Sequence, residues 1–479
     1  MTQAYLRLLS AEDMQRIHEA SLAMLEKTGM LIEHDQARQM LREHGALVDD
    51  ETQIVRFPES LIEEKLALLP RSVLHAGRDP ENDIVIEADG EIYARTAGGS
   101  THYIALDTGE YRRSTLDDWR EFLTLADALP NVRACSTMAC SGVPEATADL
   151  HSLLVLMLSQ RNNIVHDAFG VDNLRTMIEM MLVVRGSREA LKQRPWLQTL
   201  VSPVSPLSLP AVDTEQLFLA GEYGLPTTVP IMPMVGTTSP ATLAGTLAQA
   251  NAEFLGVVCV AQTAHPGHVI PYFVDPVVAD MRTGAPLMGA PEVPLLCAAI
   301  AQLGYELYGL APEGIGLDCD TVIDDQIMFE KCSNLVMQVM AGGVLVVGAG
   351  LVQACMAASP AQLVIDDEIT GYARRWRRGI AVDDDCLALD VIDRVGPRGD
   401  FLSEKHTRLH LHTGEVVRPS VFDRDPHAMW VAKGSRSLHE QAREKARAIL
   451  DSHSFAPLPD DVAVELAAIV DRADQRLGQ

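Results

Sequence analysis

The stretch TADLHSLLVLMLSQRNNIVHDAFGVDNLRTMIEMMLVVRG, which runs from Thr147 to Gly186, decides the fold class. Residues 147–160 predict a helix, the short apolar run 163–168 predicts a strand, and residues 171–186 predict a second helix. A strand set between two helices is the repeating unit of a parallel α/β sheet, because a parallel neighbour is reached only through a long crossover connection.

The same alternation extends along the middle of the chain and predicts seven strands separated by helices. Seven such units favour a closed (β/α)8 barrel, the TIM barrel, over an open sheet, because eight strands close well. The sequence does not place the eighth strand. The predicted strands cover residues 134–140, 163–168, 197–201, 228–232, 268–273, 314–318 and 344–348.

The texture of the chain changes near residue 114 and again near residue 383. We therefore predict a helical and β section over residues 1–113, the barrel over 114–382, and a C-terminal extension with terminal helices over 383–479. In the first section, Asp89-Gly90 and Thr108-Gly109 are turn pairs that predict hairpins. In the extension, HTRLHLH predicts a strand that carries His406, His410 and His412 on one face.

The net charge of −27, from 66 acidic and 39 basic residues, disfavours partners that are themselves anionic. Nucleic-acid binding and docking on an anionic membrane surface both need a positive face. No segment is a charge-free apolar run of about 20 residues, the first residues lack a secretory pattern, and the eight cysteines form no CxxC pair. We expect a cytoplasmic homo-oligomer with neither nucleic-acid nor membrane partners.

The sequence lacks most of the motifs that identify a catalytic or cofactor-binding site. There is no glycine-rich phosphate loop and no GxSxG nucleophile elbow. The segment DCDTVIDD begins at the end of a predicted strand, so Asp318 and Asp320 either meet a cationic ligand or form a cap, while Asp324 and Asp325 are expected to begin the next helix. Zinc could use the three-histidine face, but hydrogen-bonded surface histidines are commoner, and we expect no tightly bound metal.

Four stretches, in this order, resemble the trimethylamine:corrinoid methyltransferase family, and the resemblance runs along nearly the whole chain. It implies a (β/α)8 barrel that passes a methyl group to the Co(I) corrinoid, a cobalamin-type cofactor carried by a cognate partner protein. The stretches are MPMVGTTSPATLAGTLAQANAE from Met232, DMRTGAPLMGAPE from Asp280, GAGLVQACMAASPAQLVIDDEI from Gly348 and GDFLSEKHTRLHLHTGEVVRPSVFDRD from Gly399.

One departure from that family bears on the substrate. Its trimethylamine members carry pyrrolysine near the end of a barrel strand, whereas the matching position here holds the ordinary residues Asp318, Cys319 and Asp320. Members without pyrrolysine include those that demethylate glycine betaine and related quaternary amines. A quaternary nitrogen already carries the charge that makes it a leaving group, and cobalt(I) is the nucleophile, so no side-chain nucleophile is needed. The resemblance implies a quaternary-amine substrate and a site at these three residues.

Aromatic faces are the usual binding surface for a quaternary cation, and a betaine carboxylate needs a donor. The sequence does not rank the candidates. The aromatic candidates are Tyr93, Tyr103, Phe169, Tyr272, Phe273 and Phe329, and the donors are Arg95, His102, His166, Arg282 and His406.

Two other functions stay open from the sequence. A barrel lyase or decarboxylase would use a His–Asp pair at a strand end, which His166-Asp167 could provide. A non-catalytic barrel would only bind a methylated amine.

Overall fold

A computed structural model describes residues 6–96, 98–136, 140–322 and 324–477. The N-terminal section contains α1 (Ala11–Lys27), β1 (Met30–Ile32), α2 (Asp35–Glu43), β2 (Leu47–Asp49), β3 (Ile54–Arg56), α3 (Glu59–Leu66), β4 (Ser72–His75) and β5 (Ile84–Glu87). Helix α1 begins at a capping box in which Ser10 and Asp13 satisfy each other's backbone N–H groups.

Sixteen further strands follow in the described ranges. They are β6 (Tyr93–Arg95), β7 (His102–Ile104), β8 (Tyr111–Arg113), β9 (Val132–Cys135), β10 (Asn163–Asp167), β11 (Leu197–Leu200), β12 (Ser208–Leu209), β13 (Thr227–Thr228), β14 (Met234–Val235), β15 (Tyr272–Phe273), β16 (Val277–Ala279), β17 (Pro286–Leu287), β18 (Pro312–Gly314), β19 (Leu345–Val347), β20 (Leu351–Val352) and β21 (Ala357–Ala358).

The helices that follow the N-terminal section cover the barrel and build the C-terminal extension. They are α4 (Leu116–Ala128), α5 (Ala148–Ser159), α6 (Val171–Arg185), α7 (Arg188–Gln193), α8 (Ala211–Tyr223), α9 (Leu243–Ala264), α10 (Glu292–Gln302), α11 (Asp325–Met340), α12 (Pro360–Arg378), α13 (Asp384–Leu387), α14 (Leu389–Val395), α15 (Lys405–His412), α16 (His427–Ala432), α17 (Leu438–Ser452) and α18 (Asp460–Leu477). A π-helical turn, Leu303–Leu307, continues α10, and short 3-10 turns occupy Pro80–Asn82 and Glu145–Thr147.

Eight strands form a parallel barrel, which confirms the predicted fold class. Their spatial order is β13-β11-β10-β9-β6-β19-β18-β15. The two end strands meet, because the Thr227 backbone N–H donates to the Val269 carbonyl at 3.0 Å and Ile231 forms a parallel bridge with Val274. Each of the seven predicted strands has a counterpart in this barrel.

The eighth barrel strand is β6, which lies ahead of the predicted barrel start at residue 114. It pairs in parallel with β19 on one side and β9 on the other. A strand of three residues that ends in a buried arginine has neither the length nor the apolar run that predicts a buried strand. The barrel therefore takes its first strand from the section expected to precede it.

One of the two predicted hairpins is confirmed and the other is wrong. Strands β7 and β8 pair antiparallel across the Thr108-Gly109 turn. At Asp89-Gly90 the chain turns, but β5 pairs back with β4, whereas β6 leaves for the barrel. The turn was predicted correctly, and the pairing was not, since turn residues do not determine which strand the next segment joins.

The two ends of the barrel are built differently. The β4–β5 hairpin covers the amino ends of the strands, where Val73, Ile84 and Ile86 pack against the starts of β18 and β19. Asn163, at the start of β10, donates from Nδ2 to the Ala76 carbonyl at 3.0 Å. At the carboxyl ends, two small sheets, β14-β16-β17 and β20-β21-β7-β8, follow directly from barrel strands. The loops that can carry a functional site therefore lie at the carboxyl ends of the strands, as in other barrels of this class.

Helix α9 is long and apolar enough to cross a membrane by length and composition alone. However, 83% of its most apolar window is buried inside the protein, where it packs under α1 and α3. Such burial is typical of the core helix of a globular protein.

The HTRLHLH segment is helical, not a strand as predicted. It forms most of α15, so His406 and His410, four residues apart, share one face, and His412 does not join them. Short segments that alternate apolar and polar residues can satisfy either period, and here the helical spacing prevails.

We predict that Gly348→Ala destabilises the barrel more than a matched glycine substitution elsewhere. Gly348 follows β19 with φ +107°, and an added Cβ would lie 2.6 Å from the Leu317 carbonyl oxygen. Gly434 has φ +96° with no atom within 4 Å of such a Cβ, so its substitution by alanine introduces only backbone strain. We expect a loss of about 1 kcal/mol for Gly434→Ala and at least about 2 kcal/mol more for Gly348→Ala, measured by urea unfolding. Equal losses would contradict the close approach at Gly348.

Candidate functional site

Four buried charged residues lie within the barrel strands or just after their carboxyl ends. Arg95 is the last residue of β6, Glu313 lies within β18, Asp275 follows β15, and Asp318 follows β18. All four side chains are almost fully excluded from solvent. Buried charges are costly unless they are paired or bind a ligand, so these groups mark the candidate site.

Arg95 reaches across the barrel interior. Its guanidinium lies over the Phe273 ring, 5.1 Å from the centroid, although β6 and β15 are separated by two intervening strands. Side chains of strands so separated meet only inside the barrel. Arg95 Nη1 is also 4.0 Å from Glu313 Oε2, which is an ion pair without a hydrogen bond.

The Arg95–Glu313 pair leaves polar atoms without hydrogen-bond partners. Among the described residues, Arg95 Nε and Nη1 and both carboxylate oxygens of Glu313 are buried and find none. His75, from the β4–β5 hairpin below, lies 3.6 Å from Glu313 and does not complete the set. Burial lowers the pKa of Arg95, while the Glu313 and Asp275 carboxylates oppose that shift.

Asp275 lies beside this pair and is better satisfied. Its carboxylate accepts the Ile315 backbone N–H at 2.9 and 3.0 Å. Burial raises the pKa of Asp275 to about 7, and the Glu313 charge adds to that effect. An added Cβ at Gly314 would lie 2.8 Å from Asp275, so the glycine makes room for the carboxylate.

Asp318 is fully buried, and both of its oxygens are engaged. Oδ1 accepts the Cys319 backbone N–H at 2.8 Å, and Oδ2 accepts the Cys355 thiol at 2.8 Å. Burial raises the pKa of Asp318 to about 6 and raises that of the Cys355 thiol well above its usual range. The carboxylate therefore fastens two segments of the protein together.

The partner segment of Asp318 is a strained turn between β20 and β21. Gln353, Ala354 and Cys355 have φ values of 59°, 49° and 64°, a left-handed conformation that is rare outside glycine. Two further hydrogen bonds hold the turn: Gln353 N–H to the Thr321 carbonyl at 2.9 Å and Ala354 N–H to the Cys319 carbonyl at 2.6 Å. Consecutive left-handed residues persist only where surrounding contacts impose them, and such strain is concentrated at functional sites.

A buried ion pair supports the Asp318 segment from behind. Lys331 Nζ donates to Asp366 Oδ2 at 2.7 Å and to the Leu317 carbonyl at 2.8 Å. Asp366 also accepts the Gly350 backbone N–H at 2.7 Å. Burial by itself would lower the pKa of Lys331, but the Asp366 carboxylate, Cys319 and Asp318 together outweigh it and the pKa is raised. The pair thus ties α11 and α12 to the ends of β18 and β19.

The other two residues of the predicted Asp318-Cys319-Asp320 site also serve the local structure. Cys319 is buried, its thiol donates to the Thr321 carbonyl at 3.5 Å, and burial raises its pKa to about 12. Asp320 accepts the Met288 backbone N–H, while its own N–H donates to Glu330 at 2.8 Å. Asp324 caps α11 through its side chain, as expected.

Of the aromatic residues predicted to hold a cation, Phe273 is the one whose ring meets the charged interior of the barrel. Tyr103 donates its hydroxyl to Glu121 of α4, and Tyr272 faces outward, with its ring 4.7 Å from that of Phe254. Tyr93 packs at the amino end of the barrel under Arg374.

Phe169 and Phe329 lie at the surface, and Phe329 is 75% exposed. Strand position alone did not tell inward-facing from outward-facing rings.

The predicted donors are also dispersed. Arg95 faces the interior, whereas Arg282 is exposed and pairs with Asp280 in its own loop. His166 turns outward to the Asp149 carbonyl at 2.8 Å, and His102 stacks on Tyr111. His406 lies on α15 in the C-terminal extension.

Sequence reasoning missed Glu313, Asp275, Lys331, Asp366 and Cys355. A weak signal was present for the first two: each is a lone acid beside an apolar strand, in APEGIGL and YFVDP. The Cys355–Asp318 contact joins residues far apart in sequence and left no such signal.

Comparisons with known proteins agree with this architecture. The family model "Trimethylamine methyltransferase (MTTB)" matches residues 1–478. The trimethylamine methyltransferase MttB of Desulfitobacterium hafniense (strain DSM 10664 / DCB-2) is 30% identical over 471 residues, 98% of this chain and 94% of the relative. The glycine betaine methyltransferase of Desulfitobacterium hafniense (strain Y51) is 30% identical over 476 residues, 98% of both chains.

A solved structure shares the fold. The crystal structure of the Methanosarcina barkeri monomethylamine methyltransferase (MtmB) superposes with a TM-score of 0.52 at 10% identity, over 93% of this chain and 94% of that one. At this identity the likeness shows the barrel alone, while the full-length match to the family model identifies the lineage. This chain belongs to the trimethylamine methyltransferase (MTTB) family.

Proposed function

We propose that this member of the family transfers a methyl group from a quaternary amine that also bears a carboxylate, glycine betaine or a related betaine, to the Co(I) corrinoid of a partner protein. The observation that carries the proposal is the Arg95–Glu313 pair: two opposite buried charges, 4.0 Å apart, with free hydrogen-bonding atoms among the described residues. A zwitterion supplies the missing partner to each.

The charge pattern suits both ends of a betaine. Glu313 supplies negative charge for a quaternary ammonium, and the Asp275 carboxyl, whose pKa burial raises to about 7, lies beside it. The Phe273 ring lies under the Arg95 guanidinium and helps to hold it in the interior. Arg95 is the one predicted carboxylate donor that faces the interior, and its planar fork of donors suits a carboxylate. Trimethylamine has no carboxylate, so it would leave the buried Arg95 Nε and Nη1 donors without a hydrogen-bond acceptor.

The reaction requires little proton chemistry from the protein. The carbon–nitrogen bond breaks with its electron pair remaining on nitrogen, so the product amine leaves neutral and no general acid is needed. The corrinoid supplies the nucleophile when its partner protein presents it at the barrel mouth. The barrel's own residues would bind the cation, orient one methyl group outward and exclude water.

The rim of the barrel offers a surface for the partner. Loops and a helix that follow the barrel strands expose large apolar side chains, and aromatic and methionine side chains are enriched at protein interfaces. These side chains are Phe169, Val204, Met281, Phe329 and Met356. A partner protein that docks on these loops would meet the ends of the strands that carry Arg95, Asp275 and Asp318. The cytoplasmic location and the homo-oligomeric state remain predictions.

The lyase alternative gains no support from the His166–Asp167 pair. Their nearest side-chain atoms are 4.0 Å apart, and His166 is directed toward α5 and away from the barrel interior. The non-catalytic alternative predicts binding without transfer, which the next experiment distinguishes.

We predict that the purified chain methylates cob(I)alamin, or its corrinoid protein, from glycine betaine faster than from trimethylamine. The reason is that Asp318, Cys319 and Asp320 stand where the resemblance places pyrrolysine, and none of them can activate a tertiary amine. Methylcobalamin formation is followed by absorbance, with the two donors side by side. Faster transfer from trimethylamine would refute the proposed substrate, and tight betaine binding without transfer would support the non-catalytic barrel.

Arg95→Lys should raise KM for glycine betaine about 10- to 100-fold, the value of a lost charge-assisted hydrogen bond. It should leave KM for tetramethylammonium, which has no carboxylate, nearly unchanged. Arg374→Lys, at the opposite end of the barrel, is the matched control and should alter neither value. Equal effects of Arg95→Lys on both donors would show that Arg95 does not bind the carboxylate.

Asp318→Asn should change stability and its pH dependence more than substrate affinity, because both carboxylate oxygens are already engaged. The folded-state pKa, about 6, exceeds the ordinary 3.8, so as pH rises between these values the unfolded state ionises first and the native state loses stability. The variant lacks this loss. From pH 4 to pH 7 its stability relative to the wild type should improve by about 2 kcal/mol, measured by urea unfolding. A constant difference would mean that Asp318 ionises normally.

A further inference from the structure

The C-terminal extension contains a segment that the barrel chemistry does not use. Helices α13 and α15 have no buried side chain. An eight-residue helix such as α15 is not stable in water by itself, because nucleation costs more than its few hydrogen bonds return. Something other than a hydrophobic core must hold α15 against α13.

Three potential metal ligands join these two helices. One ligand atom from each of Asp385, His406 and His410 lies within 4.8 Å of the others. His410 Nε2 is 3.2 Å from Asp385 Oδ2, close to the edge of about 3.4 Å between two ligands of a tetrahedral zinc ion. The two imidazole rings are 4.1 Å apart, which suits neutral ligands of one ion better than two charged rings.

The remaining contacts orient the ligands. His406 Nε2 lies 2.9 Å from the Asp385 backbone carbonyl. If it donates there, its other ring nitrogen, Nδ1, keeps the lone pair that a metal needs, which is the usual arrangement around ligating histidines. Among the described residues, His410 Nε2 is buried and forms no hydrogen bond, although its side chain contacts the Asp385 carboxylate.

We propose that Asp385, His406 and His410 form a binding site for a divalent transition cation, with Zn²⁺ the best match, that clamps α13 to α15. Two imidazoles and one carboxylate favour zinc, cobalt or nickel over magnesium and calcium, which prefer sets made of oxygen. Water completes the coordination, since the site is partly exposed. The expectation of no tightly bound metal rested on hydrogen-bonded surface histidines being commoner than metal ligands. The predicted strand placed three histidines on one face, whereas the helix brings two of them together beside Asp385.

The test uses the full-length chain, purified without a polyhistidine tag, stripped with chelator and titrated with Co²⁺ as a spectroscopic probe. The wild type should bind one Co²⁺ per chain with visible d–d absorption, displaced by Zn²⁺ and not by Mg²⁺. His410→Ala and Asp385→Asn should weaken binding at least about 10-fold. His412→Ala, on the same helix but outside the cluster, is the matched control and should bind as the wild type does.

Hydrogen exchange supplies a second readout that does not depend on enzyme activity. Zn²⁺ should slow backbone exchange over residues 384–412 in the wild type and in His412→Ala, and not in His410→Ala. Equal Co²⁺ binding by His410→Ala and His412→Ala would overturn the proposal. The proposal would also be overturned if protection of this segment rose with protein concentration and did not depend on Zn²⁺. That result would show that a second copy of the chain covers the segment. Unchanged urea unfolding of the barrel would confirm that the variants fold.

Discussion

Insertion of β6 between β9 and β19 is the constraint on which the rest of the barrel depends. Seven strands and their helices cannot close the sheet, and the eighth strand comes from the section ahead of the main alternation. Because β6 ends at Arg95, the same insertion delivers a guanidinium into the barrel interior, beside Phe273 and Glu313. The same strand therefore both closes the barrel and places the Arg95 charge in its interior.

The carboxyl ends of β18 and β19 form a second unit built around buried charge. Lys331 and Asp366 fix the ends of the two strands, and Asp318 pins the strained turn at Cys355. Each of these groups would cost several kcal/mol if it lost its partner. Buried polar contacts of this kind are rarely needed for the stability of a core, and they are expected where the geometry of a site must be held for binding.

Much of the fold followed from periodicity, and much of the site did not. Strands such as β10 lie between helices with clear helical spacing, so both could be predicted. Strand β6 is too short to show a period, and HTRLHLH satisfies two periods, so its helix and its paired histidines emerged only in three dimensions. For the site, the sequence indicated the Asp318 segment but not the direction of each side chain. The Arg95–Glu313 and Cys355–Asp318 contacts join distant segments, and such pairs depend on barrel closure.

The central claim, that the barrel interior is complementary to a zwitterion, is tested most directly by calorimetric binding of three ligands of similar shape. Glycine betaine carries both charges, choline carries only the cation, and 3,3-dimethylbutyrate carries only the carboxylate on an uncharged carbon frame. With Arg95 and Glu313 each meeting one end, betaine should bind at least about tenfold tighter than either ligand of single charge, a difference of about 1.4 kcal/mol. Equal affinity for betaine and for either single-charge ligand would contradict the account.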